Sequence, residues 1–173
     1  MTVLEGVRAE ALNDWLIFSG AVYQSVWNHL TGRPPGHGVK DFDVGYFDDD
    51  YSWDAEDAVI RRVAARFDEP LKSRVEVRNQ RRVSEWFPQK FGQDWPPVAE
   101  TAEALERFVA PAFAVGARLE ADDRLTVAAP FGLDDVFAMV IRPNPTRPIA
   151  ADWDRVIEKL VARWPELKVE QGG

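Results

Sequence analysis

Apolar and polar positions along the chain change period several times, and the changes divide it into elements. "LEGVRAEAL" reads as a short helix, and "DWLIFSG" is an apolar run closed by Ser-Gly, consistent with a buried strand at residues 15–19. From Ala21 the period becomes helical. Val22, Val26, Trp27 and Leu30 recur every three to four residues until Gly32 stops the helix. "GRPPGHGVK" is a loop by composition. "DFDVGYF" then alternates strictly, with Phe42, Val44 and Tyr46 on one face and Asp41, Asp43, Gly45 and Phe47 on the other. "DDDYSWDAED" opens a helix with Ser52 or Asp50 as cap, and Val59, Ile60, Val63, Ala64 and Phe67 form its apolar stripe. "SRVEVRN" is a second alternating strand, Val75 and Val77 inward, Arg74, Glu76 and Arg78 outward.

The second half is less regular. "RRVSEWFPQKFG" predicts a helix broken near Pro88, with Arg81 and Arg82 on its solvated face. "TAEALERFV" predicts a short helix, and "FAVGARLE" and "RLTVAAP" a hairpin around Asp122-Asp123. "FGLDDVFAMVIRPNP" is ambiguous between helix and strand, with Asp134 and Asp135 capping a turn. "ADWDRVIEKLVARW" is amphipathic, with Trp153, Val156, Ile157, Leu160, Val161 and Trp164 on one side. Trp27, Trp86 and Trp95 read as core residues. The order of elements predicts one α+β domain over 1–173, with a core of sheet at about 14–95 and a C-terminal hairpin with helices at about 100–170.

Composition narrows the class. Seven Trp and ten Phe supply apolar surface that a disordered chain lacks. The absence of cysteine excludes disulfides, thiolate metal sites and a Cys nucleophile. The N-terminus has neither a basic nor an apolar leader region, and no apolar run approaches the ~18 residues of a membrane span, so the expectation is a cytoplasmic protein with no membrane partner. A net charge of −8 argues against an extended nucleic-acid footprint.

The candidate chemistry lies in Asp41 and Asp43. Two carboxylates two apart on a strand share a face, and as bare neighbours they repel and raise a pKa. A hard divalent ion removes that cost, and Mg²⁺ commonly takes one or two carboxylates and fills its shell with water and phosphate oxygens. Glu76 supplies a third carboxylate if the two strands pair. Gly20 ends a strand and Ala21 opens a helix, a place where backbone N–H groups bind phosphate. The alternative is equally compatible with the pattern: Asp41 and Asp43 are simply the wet face of an amphipathic strand.

The ordered set "GAVYQSVWNHLTGRPPGHGVKDFDVGYFD", "EDAVIRR", "VEVRNQRRV", "KFG" and "APFGLDDVFAMVIRPNP" resembles the nucleotidyltransferase superfamily. More closely, it resembles a bacterial family of nucleotidyltransferase-like proteins related to the head domain of CCA-adding enzymes, from about Trp15 to Trp164. The resemblance implies a mixed or antiparallel sheet flanked by helices. It implies Mg²⁺ (or Mn²⁺) on Asp41, Asp43 and Glu76, with Gly20 and Ala21 facing the triphosphate of an NTP. The sequence departs from that pattern in two places. Ala21 lacks a hydroxyl, and Gln24 stands where CCA-adding heads carry an arginine, leaving Lys40, Arg33 and Arg78 as candidate phosphate cations. The parts of those enzymes that grip tRNA have no counterpart here. The expected activity is transfer of a nucleoside monophosphate from an NTP to a small-molecule, protein or RNA-end hydroxyl, with release of pyrophosphate. The rival expectations are a non-catalytic nucleotide-binding or interaction module on the same fold, and a metal-dependent phosphohydrolase.

Overall fold

The computed structural model describes residues 1–170. Its helices are α1 (Thr2–Arg8), α2 (Gly20–Leu30), α3 (Trp53–Ala64), α4 (Gln80–Phe91), α5 (Asp134–Ala138) and α6 (Trp153–Arg163). Its strands are β1 (Leu16–Phe18), β2 (Phe42–Tyr46), β3 (Val75–Asn79), β4 (Gly116–Leu119), β5 (Leu125–Ala128), β6 (Val140–Ile141) and β7 (Lys168–Val169). Short 3₁₀ helices occupy Thr101–Arg107 and Pro111–Phe113.

Among the described residues, five strands form one mixed sheet in the order β3-β2-β1-β4-β5. Within this sheet the β2–β3 pair is parallel, joined by the crossover helix α3, and the other pairs are antiparallel. The inward residues of the alternating strands, Val44, Tyr46, Val75 and Val77, pack with Ile17 and Leu119 beneath α1 and α3. The opposite face carries Leu16 and Phe18 against the Thr101–Arg107 turn. A third core joins α2, α5 and α6 through Trp27, Val136, Ile157 and Trp164. As its spacing predicts, α6 buries Trp153, Ile157 and Leu160.

The capping expectation for α3 holds: the Ser52 hydroxyl accepts the Ala55 N–H at 3.3 Å. The hairpin β4–β5 also forms around Asp122-Asp123. Three expectations need correction. Helix α4 is not broken at Pro88; it runs to Phe91 and ends at Gly92 in the left-handed conformation, φ +64°. Proline removes only its own N–H bond near the end of a helix, and the glycine is the stop. "FGLDDVFAMVI" resolves into both alternatives, helix α5 followed by strand β6, which pairs in parallel with β7, a strand the pattern did not reveal. Arg82 is not solvated. It is buried and paired to the buried Glu56 of α3 at 2.7 Å.

The long loop before β2 is pinned. Asn28 Nδ2 donates to the His37 carbonyl at 2.9 Å, and Trp164 Nε1 donates to Asn28 Oδ1 at 3.0 Å. Gly38 takes φ +75°, and a Cβ there would lie 2.4 Å from the Trp164 ring. Arg74 donates to the carbonyls of Val39 and Lys40 at 2.5 Å each. These contacts set where the chain enters β2 and therefore where Asp41 stands.

Candidate active site

Strand alternation sends Asp43 and Gly45 to the sheet face shared with Leu16 and Phe18. The antiparallel β1–β2 register pairs Leu16 with Gly45 and Ile17 with Val44. Gly45 has a packing reason: a Cβ there would lie 2.4 Å from the Phe18 ring and 3.1 Å from Gln80 Cγ. The ring fills the space a side chain would need. The parallel β2–β3 register places Glu76 directly opposite Asp43, and Arg78 opposite Gly45. Two carboxylates from adjacent strands and a guanidinium thus share one patch beside an aromatic floor.

The wall over that patch is set by a buried knot where β3 becomes α4. Asn79 caps α4 by accepting the Arg81 N–H at 3.1 Å, and its Nδ2 donates to the Asp48 carbonyl at 3.1 Å. The Asn79 N–H donates to Glu56 Oε1 at 2.9 Å, while Glu56 Oε2 holds Arg82. Every group in the knot has a partner, as burial demands. The knot directs α4 so that Val83, Trp86, Phe87 and Phe91 face the carboxylates. The chain after Gly92 brings Gln93 and Trp95 to the same side, with Phe87 and Trp95 ring centroids 4.3 Å apart. Arg107, Phe108, Val109, Arg147, Ala150 and Asp152 complete the lining. The resulting cavity holds about 460 Å³.

Asp43, Asp41 and Glu76 are all solvent-exposed side chains. Asp43 nonetheless sits on a concave floor. Loss of surrounding water pushes its carboxyl up to about 6, Glu76 and then Asp41 add to the shift, and Arg78 opposes it. The patch is therefore a place of negative potential facing an open, largely apolar cleft. Among the described residues no three His, Cys, Asp or Glu side chains gather into a ready-made metal cage.

Of the residues singled out from sequence, the structure brings Asp43, Glu76 and Arg78 into one cavity, with Asp41 at its edge, close enough to perturb Asp43. The others do not line it. Ala21 faces a separate groove with Ile17 and Phe42 on the opposite side of the sheet. Continuing the β1–β2 register past Phe18 brings the Ser19–Gly20 turn alongside the Asp41 end of β2, so the α2 start lies near the carboxylates but outside the cavity. Gln24 is buried, its Nε2 3.3 Å from the Tyr23 hydroxyl, because its amide folds back against the first turn of α2. Arg33 is held by Glu166 at 2.9 Å, and Lys40 is exposed outside the cavity. Arg74 is consumed by backbone carbonyls. Trp86 is a cleft wall rather than a core residue, Trp95 lines the cleft while packing against the core of Leu16 and Phe18, and Trp27 is fully buried as expected.

Three residues escaped the pattern. Ser19, at φ +50°, takes the conformation expected of a glycine, and it supplies a hydroxyl that caps nothing in α2. Only the Ser-Gly dipeptide after a strand hinted at it. Arg107 ends the short 3₁₀ helix Thr101–Arg107 and Arg147 lies in an irregular segment, and neither stretch is long enough for periodicity to assign a face.

A family model described as nucleotidyltransferase matches residues 5–169. The chain belongs to this nucleotidyltransferase family. No curated protein matches it. Among solved structures it is similar to one in which an NMR study reveals a CCA-adding enzyme head domain, with TM-score 0.76 and 22% identity over 98% of this chain and 88% of that one. It is also similar to a tRNA nucleotidyltransferase complexed with a primer tRNA and an incoming ATP analog, with TM-score 0.55 and 19% identity over 97% of this chain and 46% of that one. A CCA-adding enzyme with CTP gives TM-score 0.55 and 16% identity over 98% and 39%. The chain thus spans less than half the length of these two enzymes, and at such identities the likeness is one of fold. It confirms the expected α+β architecture, with a mixed sheet flanked by helices. No helix among the described residues is long and apolar enough to cross a membrane.

Proposed function

We propose that the cleft catalyses metal-dependent transfer of a nucleoside monophosphate from an NTP to an acceptor hydroxyl. The observation that carries this reading is the parallel register that sets Asp43 against Glu76 on the cleft floor. Those two carboxylates fit a divalent cation, Mg²⁺ or Mn²⁺. The raised affinity of Asp43 for a proton reflects first its loss of surrounding water and then the charges of Glu76 and Asp41, and a bound cation would offset both. Magnesium needs only one or two protein carboxylates, so a preformed cage of three is not required. When bound, the cation supplies neutralisation of phosphate charge and polarisation of the reacting oxygens.

The chain's own groups then divide the remaining work. Asp43 and Glu76 hold the cation and Asp41 adds negative charge at the cleft edge. Arg78, beside the pair, contacts phosphate oxygen. Trp86, Phe87 and Trp95 offer flat apolar surface to a base, where stacking contributes roughly 1–3 kcal/mol per base. The acceptor oxygen bonds to the α-phosphorus, the bond to the β-phosphate oxygen breaks, and pyrophosphate leaves. In this reading the proton of the acceptor hydroxyl passes to the Glu76 oxygen that the cation leaves free.

The test is calorimetric titration with ATP, GTP, CTP and UTP, with Mg²⁺ or Mn²⁺ and with EDTA, on the wild type and on Asp41→Asn/Asp43→Asn. Metal-dependent binding that the double variant loses supports the reading; binding indifferent to both metal and mutation refutes it. Pyrophosphate together with an adduct separates transfer from phosphohydrolysis, which releases orthophosphate. A second reading, nucleotide binding without catalysis, is favoured by one observation: the start of α2 contributes no residue to the cavity, and Gln24 turns inward. Metal-dependent NTP binding with no turnover of any acceptor would favour it.

A further inference from the structure

In this acidic chain most arginines have a carboxylate within ion-pair distance: Arg8, Arg33, Arg61, Arg62, Arg66 and Arg81, then Arg82, Arg118, Arg124, Arg142 and Arg155. Among the described residues the exceptions are Arg74, Arg78, Arg107, Arg147 and Arg163. Arg74 is engaged by two carbonyls, and Arg163 sits in the last turn of α6. The other three all line the cavity that holds Asp43 and Glu76, and Arg107 and Arg147 also border a second groove with Gln93, Asp94 and Thr146. With acids outnumbering bases 29 to 21, unpaired guanidinium groups concentrated in a single cleft are not a surface average.

Arg107 and Arg147 are also built in place rather than left loose. Arg107 lies over the Trp95 ring, 5.4 Å from its centroid, and donates to the carbonyls of Pro96 and Pro97. Arg147 donates to the Arg107 carbonyl and, at 2.7 Å, to Gln93 Oε1. These partners are neutral, so they fix the guanidinium planes without cancelling the charge. Each guanidinium keeps further N–H donors free. Both side chains are half-buried, and burial pulls both groups down from their ordinary value; no carboxylate opposes this at Arg147, while Glu103 and Glu106 oppose it at Arg107. The acid on their wall, Asp152, is already held by Arg155 at 2.8 Å. A partly desolvated, oriented cation without a counter-ion is a site for an external anion, and a planar fork suits phosphate better than an ammonium does.

We propose that Arg107 and Arg147, which line the same cavity as the carboxylate pair and Arg78, form a phosphate-binding wall. It takes the phosphate oxygens of the nucleotide or of a phosphorylated acceptor. The assignment deepens the nucleotidyl-transfer reading and rests on it only for the identity of the anion. It also supplies the cations that Gln24, Arg33 and Lys40 do not provide.

The experiment is titration of the whole chain with inorganic pyrophosphate in EDTA, at low and moderate salt, followed by NTP with Mn²⁺. The proteins are the wild type, Arg107→Gln, Arg147→Gln and an Arg142→Gln control. The expected result is salt-sensitive pyrophosphate binding that each cleft variant weakens at least tenfold and the control leaves unchanged. Asp43→Asn, which removes negative charge from the cleft floor, leaves pyrophosphate binding equal or tighter. If NTP affinity falls in the cleft variants as well, the phosphates are the nucleotide's; if it does not, they belong to the acceptor. Absence of pyrophosphate binding in the wild type, or equal binding in both cleft variants, overturns the proposal even where metal-dependent NTP binding stands. Conversely, loss of pyrophosphate binding in these variants without any NTP binding upholds the wall and sinks the transferase reading. Because both arginines also tie loops together, phenylglyoxal labelling of the native protein, read by peptide mass spectrometry, provides a check without mutation. Pyrophosphate should protect Arg107 and Arg147 and leave Arg142 reactive; equal reactivity with and without it overturns the proposal.

Discussion

Replacing Asp43 by asparagine tests the electrostatics of the cleft floor directly. The carboxyl is pushed from its ordinary 3.8 up to about 6, first by loss of water, then by Glu76 and Asp41. A group that holds its proton more tightly in the folded chain than in the unfolded chain destabilises the fold as pH rises. The penalty is absent below the unfolded value, accumulates between about 4 and 6, and is fully present above that range. At roughly 1.4 kcal/mol per pKa unit the whole shift corresponds to about 3 kcal/mol. The side chain is exposed, so solvent screens the repulsion, and about 1 kcal/mol is the appropriate discounted figure. For a chain of this size that moves Tm by roughly 2–4 °C. Metal-free Asp43→Asn should therefore melt higher than the wild type by that amount at pH 8 in EDTA, and equal to it near pH 4. Scanning calorimetry across that pH range is the assay. With Mn²⁺ and a bound NTP the order should reverse, because only the wild type gains stability from the cation. An unchanged or lower Tm for the variant at pH 8 in EDTA, or a gain of the same size at pH 4, would refute the account of a crowded, desolvated carboxylate.

Other expectations concern the frame of the cleft. Gly45→Ala places a methyl 2.4 Å from the Phe18 ring and should cost about 1–3 kcal/mol in urea unfolding, with Phe18→Leu recovering part of it. Arg82→Met strands the buried Glu56 and should cost about 3–5 kcal/mol, whereas adding Glu56→Gln should recover much of that loss in the same assay; equal stability of single and double variants would contradict the paired knot. Ser19→Gly relieves a residue held at φ +50° and should raise stability by about 1 kcal/mol. Trp95→Ala should weaken NTP binding by about 1–3 kcal/mol while leaving nucleotide-free metal binding intact, as read by calorimetry.

Much of the carboxylate site was legible in the chain because strands encode it locally. A period of two places Asp41 with Asp43 and Glu76 with Arg78, and a strand–helix–strand order with a crossover helix predicts that the two strands can pair. The glycine within "DVGY" is a further local mark, although only the Phe18 ring above it gives the reason. What the chain determined by itself was therefore the first strands and helices, their apolar faces and the side of the strands that carries the carboxylates. Tertiary structure decided the rest, because the remaining walls depend on directions that no periodicity carries. The angle at which α4 leaves β3 follows from a knot of Asn79, Glu56 and Arg82 drawn from β3, α3 and α4, and it turns Trp86 from an expected core residue into a cleft wall. Arg107, at the end of a short 3₁₀ helix, and Arg147, in an irregular segment, are forty residues apart, and their meeting rests on a bond from one guanidinium to the other's backbone. Arg33 looked equally available in sequence, yet Glu166, near the other end of the chain, takes it. Local pattern states which residues are polar; only the fold states which of those charges find a partner and which are left facing a ligand.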